Sequence, residues 1–181
     1  MKYIIFISLF LSILQADIKT SLYHLYQDKQ YEDACKQGLK VFQQYRKDEE
    51  FVSLYAFSCL NADQIDRLAI PISILKNSEE ARSNAAYFSV ILMQKKLLFH
   101  ALLDAYKLTA LKLPKTDHVL STVYELYSKE SYARKRSHYS FIDPNNEKIS
   151  YKLYIKNGNQ HKKMVIEEYY DTIMTHRHEY W

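Results

Sequence analysis

Apolar side chains in the first two thirds of this chain fall at three- and four-residue intervals, and the whole pattern repeats. Tyr31, Ile65 and Leu98 stand 34 and 33 residues apart. Nine residues before each come Leu22, Ala56 and Ser89, three after come Ala34, Leu68 and Ala101, and seven after come Gly38, Ile72 and Ala105. Spacing of three and four places side chains on one helix face, and a period in the thirties is the length of a helical hairpin. The polar stretches between the runs, Gln27–Gln30, Tyr45–Glu50 and Asn61–Gln64, then read as turns. With only 2 glycines and 3 prolines in 181 residues, a turn-rich all-β body is excluded.

The pattern predicts about seven helices. One runs from about Glu79 to Lys96, its partner from about Phe99 to Leu113 ahead of Pro114, and a last one runs from an Asp117 cap to about Lys135. Asn77 or Ser78 is the candidate cap for the helix that follows.

The stretch "KQYEDACKQGLKVF", with a large Tyr31 after the turn and small Ala34 and Gly38 behind it, resembles the tetratricopeptide repeat. Residues 85–114, with Ser89, Leu98, Ala101, Ala105 and Pro114, resemble it next best. The middle unit departs from the pattern: Leu68 stands where a small residue belongs, and Pro71 interrupts the helix. The resemblance covers about Ile18 to Pro114. It implies a mainly α fold, with antiparallel helical hairpins stacked as an array in residues 17–135. It also implies a groove for a protein or peptide partner, lined by Tyr23, Tyr55 and Tyr87, and a binding or scaffold role rather than catalysis.

The first sixteen residues, "MKYIIFISLFLSILQA", have Lys2, an apolar run from Tyr3 to Leu14, and Ala16. This is the order of a secretory signal peptide, with cleavage expected after Ala16 and an uncleaved anchor as the alternative; the run is short for a spanning helix. The body is therefore expected in the periplasm or secreted, with no membrane span after cleavage. In such a compartment Cys35 and Cys59 can pair as a disulfide, the alternative being two buried thiols.

After Arg136 the period changes to two. Ile149, Tyr151, Leu153 and Ile155 alternate with polar neighbours, "PNNE" is a turn signal, and Asn157-Gly158 is a hairpin signal. Residues 136–181 are expected to form a small antiparallel β-hairpin or meander. Helix over Met164–Met174 is the alternative. His176 and His178 share a face on a strand, and with His161 they are the candidate ligands for a transition metal.

No nucleophile elbow, zinc-protease helix, P-loop or dinucleotide fingerprint occurs. The net charge of +4 is without a basic stripe, which argues against nucleic acid. The expectation is a non-catalytic adaptor of the cell envelope, with no cofactor and a protein or peptide partner. A structural subunit of an envelope assembly is the alternative, and a metal protein or enzyme using the C-terminal histidines is the second. The adjacent pairs Glu49-Glu50, Glu79-Glu80 and Glu167-Glu168 read as surface charge.

Overall fold

The computed structural model describes residues 18–109, 111–158 and 161–181. The expected signal peptide lies outside the described residues. Two compact units divide at Ala85/Ala86, so the boundary expected at 135/136 falls inside the second unit.

In the first unit α1 (18–27) turns back into α2 (Tyr31–Tyr45), and α3 (Glu49–Asn61) packs on α2. A 3-10 turn (Ile65–Leu68) then leads into the short α4 (Ala69–Ile74), whose Pro71 stands in the first turn, where helices tolerate proline. Two features let these helices come close. Gly38 faces Tyr55, and a Cβ there would lie 2.6 Å from the Tyr55 ring. Cys35 and Cys59, both fully buried, are joined in a disulfide between α2 and α3 with their Cα atoms 4.7 Å apart.

Helix ends explain how so few glycines suffice. Lys29, Asp63 and Glu130 take φ of 60°, 60° and 55° just past α1, α3 and the last helix. The next amide in each case, from Gln30, Gln64 and Ser131, donates at 2.9 Å to the carbonyl five residues back, on Leu25, Cys59 and Leu126. This is the left-handed helix cap that glycine usually occupies, built here with side-chain-bearing residues.

The expected array of hairpins is corrected by α5, a single 26-residue helix, Glu79–Asp104, capped by Ser78. The two helices expected over Glu79–Leu113 do not form. The stop expected after Lys96 does not occur, and Gln94, Lys95 and Lys96 are all good helix formers. Gln94 and Lys95 are buried in the stripe that includes Phe88, Ile91, Leu98 and Ala101. Ala105, at φ 54°, ends the helix, and the described chain from there to His118 is a non-helical strap. By length and composition α5 is apolar enough to cross a membrane, yet it carries the buried Lys95, which donates to the Trp181 main-chain oxygen.

The described residues hold six helices, not seven. The last, α6 (Val119–Ser128), is shorter than expected and is capped by His118, whose Nδ1 accepts from the Leu120 amide at 3.2 Å. Asp117 instead accepts the Tyr87 hydroxyl at 2.7 Å.

The second correction is the sheet, a major element rather than a small hairpin. Five antiparallel strands run in sequence order: β1 (Ala133–Arg134), β2 (Tyr139–Asp143), β3 (Asn146–Asn157), β4 (Lys162–Tyr170) and β5 (Ile173–Tyr180). Pro144-Asn145 makes a two-residue turn, with the Asn145 amide donating to Asp143 at 2.8 Å. Asn157-Gly158 does not make the expected tight turn. Gly158 has no positive φ, and its amide donates to the His161 carbonyl at 3.1 Å. That oxygen stands 2.5 Å from where a Cβ would sit, so glycine is required for the close approach.

Candidate interaction surface on the sheet

Register assigns each sheet residue a face. Phe141 pairs with Tyr151, Leu153 with Ile166, and Met164 with Tyr180; all are buried and form the inward face. Tyr127 of α6 meets Tyr139 of β2 edge-on at 5.1 Å on this side. The alternating residues, Lys152, Tyr154, Lys156, Lys163, Glu167, Tyr169, Arg177 and Glu179, form the outward face.

That outward face is a closed polar network. Glu167, 8% exposed, accepts from the Tyr154 hydroxyl at 2.8 Å and the Tyr169 hydroxyl at 2.7 Å, and faces Arg177 at 3.3 Å. Burial alone would raise its carboxyl, but the two hydroxyls and Arg177 outweigh it and hold it below the ordinary range. Burial and the same carboxylate push Tyr154 up to about 12. Lys152 donates to Tyr169 at 3.0 Å and lies 4.2 Å from its ring centre. Glu179 holds Lys156 and Lys163, each at 3.1 Å. These charges are satisfied within the sheet, which leaves the network poorly equipped to grip a ligand.

The open features are at the side and at one end. β5 has β4 as its one sheet neighbour, so its outer backbone edge is unpaired within the sheet. The turns at Pro144-Asn145 and Asp171-Thr172 lie at the same end, because Ile149 pairs with Tyr170 and Tyr170 with Ile173. Large apolar side chains gather there in the open: Ile142, Tyr170, Met174 at 48% exposure and Ile173 at 70%. A register shift beside Glu168/Tyr169 bends β5 at this point.

The expected groove is not formed. Tyr23 is 52% exposed, but Tyr55 is 3% exposed and packs at a tilt on Phe42, ring centres 4.9 Å apart, against Gly38, so it is a core residue. Tyr87 is half-buried and tied to Asp117. Spacing alone could not distinguish the inner from the outer face of α3, since both are apolar.

The expected metal set is also not assembled. His176 pairs with Glu168 and His178 with Ile166, while His161 lies beyond the far end of β4. Among the described residues no group of three or more His, Cys, Asp or Glu is placed to hold a metal. His178 Nε2 instead donates to Glu168 Oε1 at 2.9 Å, which holds the Glu168 carboxyl low.

Two carboxylates expected on the surface act structurally. One is Glu167. The other is Glu49, which accepts the amides of Lys76, Asn77 and Ser78 at 2.9, 2.8 and 3.0 Å, at the start of α5. The Asn77 amide first, then that of Lys76, lowers its pKa to about 2. The partners lie 27 to 29 residues away in sequence, so no local signal marks this role. No protein-family model, no curated protein and no solved structure matches the chain.

Proposed function

We propose that this protein is a non-catalytic interaction subunit that works outside the cytoplasm and joins a protein partner through the exposed Ile173–Arg177 stretch of the edge strand β5 and the apolar end beside it. The observation that carries this reading is an eight-residue edge strand that starts at Ile173 and Met174, both widely exposed. An extended segment can add to such an edge by main-chain hydrogen bonds, with its side chains reading the apolar end. Of the two protein-binding roles expected from sequence, the structural subunit is favoured. The adaptor groove depended on Tyr55, which is buried. The compartment rests on the leader-like first sixteen residues and on the Cys35–Cys59 disulfide, a bond that persists in oxidising surroundings.

The test is a photo-crosslinking residue placed at Met174 in the full-length chain in its native cells, with the same residue at Leu39, an exposed helix position, as control. A discrete protein adduct at Met174 that is absent at Leu39 and is lost with Ile173→Lys supports the proposal. No adduct, or the same adducts at both positions, overturns it.

A further inference from the structure

The strap that follows α5 encloses a cleft of ≈ 280 Å³ within the second unit, separate from β5. Its walls come from the strap and from α6. The Tyr124 hydroxyl donates to the Leu111 carbonyl at 3.2 Å, and Gln94 Nε2 donates to the Pro114 carbonyl at 3.0 Å, so the strap is tied down on both sides. The lining has two characters. Leu111, Leu113, Pro114 and Tyr124 supply apolar surface. Gln94, 1% exposed, supplies a buried amide whose oxygen accepts from Ser121 Oγ at 2.6 Å.

An amide nitrogen carries two hydrogens. The Pro114 carbonyl takes one, and the other makes no hydrogen bond among the described residues. A buried donor left in this state calls for an acceptor. The rim is cationic. Glu125 is already shared between Lys115 and Lys129, and Lys112 has no ion-pair partner among the described residues.

We infer that this cleft binds a small carboxylate with an apolar body and an internal carbonyl: the chemistry of an acylated apolar amino acid, which is also that of a peptide's carboxyl end. The carboxylate pairs with Lys112, the carbonyl accepts the second Gln94 N–H, and the apolar side chain lies against Leu111 and Tyr124. The size of the cleft suits one residue with its acyl group, being just below the roughly 300 Å³ at which drug-sized pockets begin.

The full-length protein is titrated with N-acetyl-leucine while the Gln94 side-chain amide is followed by NMR. Saturable movement of that signal with a Kd of about 1 mM or tighter is expected. Affinity should fall at least tenfold for the uncharged N-acetyl-leucinamide, and similarly in Lys112→Glu, whose exposed side chain leaves the fold intact. Leu111→Trp, which fills the cleft, should abolish the movement. A capped tetrapeptide ending in leucine distinguishes the sources: tighter binding than N-acetyl-leucine assigns a peptide end, equal or weaker binding a free acyl amino acid. No saturable shift at millimolar probe overturns the inference. So does equal binding of acid and amide, or binding unchanged in Lys112→Glu.

Discussion

The two units hold themselves together by different means. In the first, α2 and α3 cross over Gly38 and a disulfide, and Glu49 closes the start of α5; the key contacts are few, short and covalent or charged. In the second, five strands are fixed by register and by a polar network around Glu167, spread over three strands. The first arrangement closes its helices with one crosslink and one buttressing carboxylate, Glu49. The second leaves the start of its edge strand, Ile173 and Met174, and the apolar side chains beside it exposed. The contrast sets covalent and charged closures in the helical unit against an exposed strand end in the sheet, and it can be tested from either side.

The largest effect expected is from removing the crosslink. Replacing Cys35 and Cys59 by Ala should destabilise the first unit by roughly 3 kcal/mol, the chain-entropy value for a loop of this length. Hydrogen exchange should show α1–α3 amides losing protection while β3 and β4 keep theirs. Equal loss in both units would break the comparison. Gly38→Ala is expected to cost about 1–2 kcal/mol, because overpacking against the buried Tyr55 ring exceeds the gain in helix propensity; the readout is the denaturant midpoint at constant slope.

A smaller change of opposite sign sharpens the second unit. Glu130 holds a left-handed cap that glycine adopts without Cβ strain. Glu130→Gly should therefore raise stability by up to about 1 kcal/mol, visible as a higher melting temperature.

The last difference lies in pH dependence. The Glu49 carboxyl titrates near 2 in the folded chain against an ordinary 4.5. Between those values the unfolded chain binds more protons, so stability rises with pH there and is lost as pH falls toward 2. Glu49→Gln removes that component, and acid titration of the variant should show a flatter limb over this interval. An unchanged limb would take Glu49 out of the account.

Legibility followed the range of the cause. Ile149 to Ile155 announced β3 because a half-buried strand writes its period into adjacent residues, and Pro144-Asn145 announced its turn for the same reason. The recurrence around Tyr31 and Ile65 located α1 to α3 and the turns between them. It misled at Leu98, because nothing local in "QKKLLFH" says whether the chain turns after Lys96 or runs on as one helix. The strand from Ile173 to Tyr180 was legible as strand only through the shared face of His176 and His178, and its bounds were not, since an edge strand with His176, Arg177 and Glu179 lacks apolar alternation. Glu49 and Glu167 were illegible because each acts through residues distant in sequence or across strands. The proposed interaction surface, at the edge of a sheet, has no sequence signature beyond the exposed Ile173 and Met174.

The most direct measurement is amide hydrogen exchange along β5 in the full-length protein, alone and with the partner captured at Met174. The account predicts alternate amides of the Ile173–Arg177 stretch of β5 exchanging fast in the free protein while β3 and β4 are protected, and those same amides slowing when the partner is added. Uniform protection of β5 in the free protein, or no change on adding the partner, would contradict it.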